Sequence, residues 1–391
     1  MRLSDLRNNF LGFAILFIGA FFDNVRGPLL PQWSTEFKLP YDKQGLLLTF
    51  GNLGALLCTF SLAPLLNRYP LRRIILCVLV LGLVFSLSSY FVYDFISLAC
   101  FAAFLGIVCS LLGTLSSLHV QQSSRPQVRS KLLSLLHLMY GAGSYLAPFI
   151  VTFFILEKKP WHYNFLAAVA PLVLIYGYLT LRPNKKTVQI TVTTKESYRV
   201  NGRQWLTILA MGFYVCGEVL SSMWMVSYFQ NHLNFANTDS NFFQSIFFAC
   251  MSITRLLCFL FLPRGWELRV MVTSVIAGIV IFCTGIWFKN PGLIALVGII
   301  GPFFPLYIAR ISEKFPLQSR SMTIYVLSFM QLSLAMAHLF LGRLSAQIGI
   351  KNAFLMPPVL LVVSLILIFM GELIEFQDGR AKTVSAPDGT C

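Results

Sequence analysis

Charged residues are scarce in this chain of 391 residues, because Asp, Glu, Lys and Arg make up only 12% of it while hydrophobic residues make up 57%. A soluble globular domain carries about 25% charged residues. Too few polar side chains are therefore present to cover a water-facing surface, which excludes a soluble globular protein. The mean hydropathy of +0.73 instead indicates that lipid is the main solvent of the chain.

Several sequence patterns of enzymes and pumps are also missing. No GxxxxGK[ST] segment is present, which argues against an ATP-driven pump. No HExxH pattern or Ser-His-Asp arrangement stands out, and the nine cysteines include no CxxC pair. Nearly all the cysteines lie in apolar runs, where they serve as small packing residues. We therefore expect no enzyme, no metal site and no cofactor, and a process driven by a gradient or by simple equilibration.

The basic residues are abundant, with a net charge of +15. Such a charge would suggest nucleic acid if these residues formed one soluble face. Instead they lie in short segments between apolar runs, which is the pattern of membrane topology. Most of them fall on the side that would hold both chain termini, so we expect cytoplasmic termini and no nucleic-acid partner. The compact length favours a bacterial inner membrane.

Twelve apolar runs are long enough to cross a membrane, since a spanning helix needs about 20 mostly apolar residues. They lie near residues 8–31, 43–66, 73–92, 94–119, 131–156, 162–181, 204–230, 240–262, 268–288, 291–311, 319–341 and 352–374. The first run is too long for a cleaved signal peptide. The sequence therefore predicts an all-α integral membrane protein with a six-helix bundle at 1–181, a linker at 182–203, a second six-helix bundle at 204–376 and a disordered tail at 377–391.

Asp23 and Glu218 are the two acidic residues that fall deep within the apolar runs. A charged side chain at the bilayer centre costs about 2.5–3.5 kcal/mol on insertion scales, so such residues usually face a bundle interior or a wet cavity. Both are candidates for ion coupling, and the alternative is a purely structural pairing with arginine. Arg26 lies three residues after Asp23 and so shares its helix face. Pro28 and Pro31 then disturb the helix beyond it.

Aromatic and polar residues inside other spans are candidates for solute binding. In the seventh span, Tyr214, Trp224 and Tyr228 occur among Gly, Ser and Glu residues. This mixture suits the apolar faces and hydroxyls of a sugar, and core packing is the alternative. The remaining candidates are Asn24, Arg26, His137, Tyr140, Arg255, Gln331 and His338. For His137, a structural role stands as an equal alternative.

The chain resembles the major facilitator superfamily, whose members have two bundles of six spans and a central linker. The loop NRYPLRR at 67–73 is similar to a degenerate form of the superfamily's basic loop. That similarity implies a gating role for Arg68, Arg72 and Arg73. Within the superfamily, the chain most resembles the fucose–proton symporter-like group of sugar transporters. The segments that carry this resemblance are 19–24 with 27–31, His137 with 140–143, 214–218 and 301–305.

The resemblance implies solute binding between the bundles, alternating access, and coupling to a proton or a sodium ion through Asp23 and Glu218. The expected function is secondary active transport of a sugar, a sugar acid or another organic anion. The expected partners are this solute, the coupling ion and the lipid bilayer, and the expected state is a monomer. Two alternatives stay open: an exporter of drugs or amphiphilic metabolites in the same fold, and a membrane receptor or scaffold without transport.

Overall fold

The computed structural model describes residues 3–181, 200–263, 265–315 and 318–384. Across these ranges the secondary structure is helical and no strand occurs. Twelve helical segments are long and apolar enough to span a membrane. The predicted fold class of twelve spanning helices is therefore confirmed. Helices are the expected form because lipid offers no hydrogen-bond partner, so each span must pair its amides within itself.

The first half of the chain forms six spans from eight helices. Two of these spans are interrupted: the first consists of α1 and α2, and the sixth of α7 and α8. The helices are α1 (Leu3–Asn24), α2 (Arg26–Glu36), α3 (Tyr41–Arg68), α4 (Leu71–Ser88), α5 (Phe95–Ser123), α6 (Pro126–Leu156), α7 (Tyr163–Leu166) and α8 (Val169–Leu181). The first span breaks at Val25. This position precedes Pro28, which lacks the amide hydrogen that would bond the carbonyl of Asn24.

The second half also forms six spans from eight helices. The seventh span breaks at Trp224, between α9 and α10, and the tenth passes through a 3-10 turn (Leu296–Ile300) between α13 and α14. In α15, Gly349 has a φ of 78°, so the eleventh span is kinked near its end. The helices are α9 (Gly202–Met223), α10 (Met225–Asn231), α11 (Asn237–Phe261), α12 (Glu267–Trp287), α13 (Pro291–Ala295), α14 (Phe303–Lys314), α15 (Ser319–Ala353) and α16 (Met356–Val384).

The predicted linker and tail differ from the structure at their edges. Helix α9 already begins at Gly202, because Asn201 caps it and exchanges side-chain hydrogen bonds with Gln204. Helix α16 continues to Val384, so the prediction of a disordered tail is wrong for residues 377–384. That stretch is polar, but it contains no proline and several good helix formers, so polarity alone was a poor guide. Residues 182–199 and 385–391 lie outside the described residues.

The two halves meet mainly through α3 with α15 and α6 with α11. With twelve antiparallel spans, the start of α1 and the end of α16 lie on one side of the bundle, which we call the terminal side. On the opposite side, a Cβ atom on Gly45 would lie 2.4 Å from the backbone oxygen of His338. Thr49 Oγ1 also donates to the Ala335 carbonyl at 2.9 Å. The halves are therefore in close contact at the opposite side.

The broken first span adds to this closure. Helix α2 packs against α9, α10 and α11 of the other half. A Cβ on Gly27 would lie 2.5 Å from Gln244 Nε2 and 3.4 Å from the Met223 carbonyl oxygen. Nearby, Asn241 Nδ2 donates to Thr152 Oγ1 at 3.1 Å and joins α11 to α6. The opposite side is thus closed by close packing and hydrogen bonds between uncharged groups.

Candidate functional site

Several groups near the middle of the spans are exposed, although the opposite side is closed. The position of a Cβ on Gly113 has no atom within 4 Å, so α5 faces open space there. Thr114 beside it is exposed, and so is His137 in α6. The Asp23 side chain is 29% exposed although it lies at mid-span. Because polar groups facing lipid would be costly, these exposed groups indicate a water-accessible cavity.

Asp23 is held from two directions at the wall of this cavity. Arg26 Nη2 pairs with Asp23 Oδ1, and Arg26 Nε donates to the Asp23 carbonyl oxygen at 2.8 Å. From α6, the Tyr140 hydroxyl donates to Asp23 Oδ2 at 2.8 Å. Both carboxylate oxygens therefore have a donor. The structure thus brings together three of the residues predicted from sequence.

Asn24 contacts residues of α6 beside this carboxylate. Its amide nitrogen donates to the Ala20 carbonyl at 2.9 Å and to Ser144 Oγ at 2.8 Å, and it lies 3.3 Å from the Tyr140 hydroxyl. Asn24 and Ser144 are both buried. The structure therefore places Asn24 in a position that orients Tyr140, and its side chain does not face the cavity where a solute would sit.

Glu218 and Arg255 form a second ion pair in the other half. Arg255 Nη2 lies 3.4 Å from Glu218 Oε1, and Arg255 Nε donates to the Gly301 carbonyl at 2.9 Å. The two side chains are 14% and 15% exposed. Arg255 is also close enough to His137 and Tyr140 to act on them electrostatically. The pair therefore faces the first half across the cavity.

One oxygen of the Glu218 carboxylate is left without a donor. Among the described residues, Glu218 Oε2 is buried and has no hydrogen-bond partner. The adjacent Tyr214 hydroxyl is close enough to the carboxylate for a side-chain hydrogen bond as well as a charge interaction. That hydroxyl, however, donates its hydrogen to the Ile300 carbonyl at 2.8 Å. Glu218 is consequently less well satisfied than Asp23.

The other predicted aromatic contacts lie in packed protein in this conformation. Trp224 is fully buried, and its Nε1 donates to His338 Nδ1 at 3.1 Å. Tyr214 stacks on Phe303 at 3.9 Å, and Tyr228 stacks on Phe354 at 4.5 Å. These side chains do not line the open cavity, which departs from their predicted role in solute binding. The reason is packing within the second half, to which His338, Phe303 and Phe354 all belong. Gln331 in α15 is half-buried.

The predicted gating loop contacts its own half. Arg72 Nη2 donates to the Leu179 carbonyl at 2.6 Å, at the end of the sixth span. Such a cation suits the negative end of a helix, where carbonyl groups lack partners. The Arg68 guanidinium lies 5.6 Å from the Tyr69 ring, and Arg73 is exposed. The described contacts of the loop therefore stabilise the first bundle in this conformation.

Two further ion pairs on the terminal side were not predicted from sequence. Arg125 makes a bidentate contact with Asp5, at 3.1 and 2.7 Å, and this hydrogen bond raises the pKa of Arg125. Arg310 Nη2 lies 2.7 Å from both carboxylate oxygens of Glu372. The second pair places Arg310 at the terminal edge and away from the cavity centre. An acidic residue near the end of an apolar run was the available signal for Glu372.

The fold agrees with comparison to known families. The family model of the Major Facilitator Superfamily matches residues 12–329. The chain therefore belongs to the Major Facilitator Superfamily. Solved structures of sugar–proton symporters are similar to this chain, which is consistent with the resemblance to that group. None of the curated protein sequences matches the chain.

Solved structures share the fold over nearly the whole chain. A D-xylose-proton symporter has a TM-score of 0.77 at 14% identity, covering 92% of this chain and 96% of its own. The fucose:proton symporter of E. coli has a TM-score of 0.66 at 15% identity, with coverages of 94% and 99%. An inward-facing bacterial homolog of the human lysosomal transporter Spinster has a TM-score of 0.72 at 12% identity, with coverages of 97% and 99%.

Proposed function

We propose that this protein is a secondary active transporter that moves a small polar solute, a sugar or an organic anion, together with protons. The observation that carries the proposal is the Asp23 carboxylate, which is fixed by Arg26 and Tyr140 and still reached from the cavity. A carboxylate at mid-span with access from one side only is suited to couple ion and solute movement. Support for the solute class comes from the xylose and fucose symporters that share the fold.

The arrangement of the halves supports alternating access as the mechanism. The opposite side is closed by contacts such as Gly45 with His338, while His137 is exposed and Asp23 is partly exposed at mid-span. A transporter needs a second state in which this pattern is reversed. The donors of His137, Tyr140 and Arg255 around the cavity would bind hydroxyl or carboxylate oxygens of a solute. We place the solute between these groups.

The test is uptake into proteoliposomes that contain the purified protein. Labelled D-xylose, L-fucose and D-glucuronate would be offered with and without an imposed proton gradient. We expect accumulation of at least one solute that depends on the gradient. Asp23→Asn should abolish this accumulation, whereas Asp239→Asn, which alters an exposed carboxylate at the start of α11, is the matched control.

Three outcomes would contradict the proposal. If uptake by the wild-type protein does not depend on the proton gradient, that result would argue against proton coupling. Gradient-driven accumulation by Asp23→Asn at the wild-type level would remove Asp23 from the mechanism. Transport of none of the solutes, together with uptake or extrusion of amphiphilic dyes, would favour an exporter of amphiphiles in the same fold.

A further inference from the structure

A groove lies between α6 and α11, two helices through which the halves of the protein meet. Its volume is about 400 Å³, which falls within the range of roughly 300–1,000 Å³ that is usual for small-molecule sites. Phe149 of α6 and Ile246 and Ala249 of α11 are among its lining residues. The lining residues, all from the described part of the chain, carry no charge, so the groove is suited to an apolar occupant.

Two contacts between the halves flank the groove. At the end nearer the opposite side, Asn241 Nδ2 donates to Thr152 Oγ1 at 3.1 Å. Toward the terminal side, a Cβ on Gly141 would lie 2.1 Å from Ser252 Oγ, so α6 and α11 approach each other closely there. The groove therefore belongs to both halves, and its shape depends on how they pack against each other.

The groove opens toward the lipid. Phe242, Ile253 and Leu296 line it, and all three side chains are exposed. Both α6 and α11 are apolar enough to span a membrane. Hydrocarbon chains of lipids are about as apolar as such side chains and surround them in the bilayer. The occupant of the groove therefore comes from the bilayer.

Ser245 places one polar group in this apolar groove. The residue lines the groove and is 1% exposed, and its Oγ has no hydrogen-bond partner among the residues that the structure describes. Three other hydroxyls of α11 donate to carbonyl groups of the preceding turn, namely those of Ser240, Ser252 and Thr254. Because a buried hydroxyl without a partner is costly, an oxygen atom of a ligand in the groove would satisfy Ser245.

The order of these groups along α11 gives the occupant a direction. Helix α11 begins at Asn237 on the opposite side, so Ser245 lies nearer that side than Ala249 and Ile253. From Ser245 to Ile253 the helix rises about 12 Å toward the middle of the membrane, at 1.5 Å per residue. A glycerolipid in the leaflet at the opposite side has the same polarity. Its ester carbonyl lies nearer the surface, and its chain points toward the membrane centre.

We propose that this groove binds one acyl chain of a glycerolipid from the leaflet at the opposite side. The ester carbonyl accepts a hydrogen bond from Ser245 Oγ, and the chain lies along Ala249 and Ile253. Such a chain contacts α6 of the first half and α11 of the second half. It therefore stabilises the conformation in which the opposite side is closed, because opening that side would separate the walls of the groove.

The experiment uses the purified full chain in phosphatidylcholine nanodiscs that contain a trace of a photoreactive lipid. The tracer is phosphatidylcholine with a diazirine near the end of one ester-linked chain. After illumination, mass spectrometry compares the labelling of groove peptides with that of Ile276 and Val280, which are exposed on α12. We expect labelling in the groove to exceed that on α12 severalfold. Equal labelling would indicate ordinary lipid contact and overturn the site.

A change of host lipid tests the role of Ser245. Ether-linked phosphatidylcholine lacks the ester carbonyl and should compete less well with the tracer than ester-linked phosphatidylcholine. In the wild-type protein, the tracer should label the groove about two- to tenfold more in the ether-linked host, which is the effect of one neutral hydrogen bond. Ser245→Ala should show no dependence on the host. Labelling of the wild type that is equal in both hosts would overturn the assignment of Ser245.

A second variant tests the position of the chain. Ala249→Leu fills part of the groove and should abolish the excess labelling, whereas Val280→Leu on α12 is the matched control and should retain it. Excess labelling that persists in Ala249→Leu would overturn this position. Thermal unfolding reports whether each variant folds. Ser245→Ala removes only a hydroxyl without a partner, so the comparison of hosts tests the proposal even if Ala249→Leu fails to fold.

Spin labels on α3 and α15 near the opposite side measure the effect on conformation. In the wild-type protein we expect a larger share of long distances in the ether-linked host than in the ester-linked host, and no difference for Ser245→Ala. Equal distance distributions in the two hosts for the wild type would overturn the effect on conformation. These measurements do not depend on transport, so their failure would leave the transporter proposal standing.

Discussion

The Tyr140 hydroxyl in the fifth span donates a 2.8 Å hydrogen bond to Oδ2 of Asp23 in the first span. This contact joins two helices of the first bundle at the cavity wall. Asn24, the next residue of α1, donates a hydrogen bond to Ser144, which lies one turn after Tyr140 in α6. The position of the carboxylate therefore depends on a hydroxyl that is 117 residues away in the chain.

Tyr140→Phe is expected to weaken coupling while the fold is retained. It removes the donor to Asp23 Oδ2, and a hydrogen bond to a charged group contributes about 1.5–3 kcal/mol. Gradient-driven uptake in proteoliposomes should fall by about tenfold or more, since 1.4 kcal/mol corresponds to a factor of ten. Tyr145→Phe is the control, because Tyr145 lies one turn away and is 42% exposed. Equal uptake by both variants would show that this hydrogen bond is dispensable.

Gly141→Ala is expected to destabilise the contact between α6 and α11. A Cβ there would lie 2.1 Å from Ser252 Oγ and 3.0 Å from Ser252 Cβ, so the Ser252 hydroxyl must rotate away from its hydrogen bond to the Phe248 carbonyl or the helices must separate. Overpacking of this kind costs about 1–3 kcal/mol. A thermal unfolding scan should show a lower midpoint for this variant, and Ser252→Gly should restore part of it in the double variant. Gly177→Ala, at a position with no atom within 4 Å, should leave the midpoint near that of the wild type.

Gly45→Ala is expected to shift the conformational equilibrium away from the state described here. Its Cβ would lie 2.4 Å from the His338 backbone oxygen, and a backbone atom cannot move aside as a flexible side chain can. The added methyl group therefore raises the free energy of the state in which the opposite side is closed. A rise of about 1.4 kcal/mol changes the population ratio of the closed and open states tenfold. Spin labels on α3 and α15 near the opposite side should report a longer distance. Labels in a Gly371→Ala background, where the added methyl meets open space, should match the wild type.

Two histidines outside the spans predict a pH dependence of stability. Burial lowers the pKa of His162, and the charge of the nearby Glu36 opposes this shift. Burial also lowers the pKa of His232, and the positive charges of Lys351 and Lys289 lower it further. A histidine with a lowered pKa binds its proton more readily in the unfolded chain. Stability should therefore fall as the pH decreases through the ordinary histidine value of about 6.5.

The measurement is the midpoint of thermal unfolding at about pH 7.5 and pH 5.5. The double variant His162→Gln/His232→Gln should lose less on acidification than the wild-type protein, and His232→Gln alone should lie between them. An identical loss in all three proteins would assign the acid sensitivity to other groups.

The number and order of the spans could be predicted from sequence because they follow from local composition. Twelve long apolar runs leave helices as the form in which the backbone is satisfied in lipid, and the structure has twelve such segments. Asp23 and Glu218 could be selected for the same reason, since a charge inside an apolar run stands out in the sequence alone. The pairing of Asp23 with Arg26 was accessible too, because both residues lie on one turn of helix.

The tertiary structure alone decided which polar residues meet and which are buried. Three contacts join residues from different spans. They are the pairing of Glu218 with Arg255, the contact of Asn24 with Tyr140, and the burial of Trp224 against His338. Such contacts depend on the packing angle and rotation of each helix, which a hydropathy pattern does not encode. The sequence thus determined that this is a twelve-span membrane protein with charges at mid-membrane. Only the packing of the two bundles decided that one carboxylate is fully satisfied and the other is not.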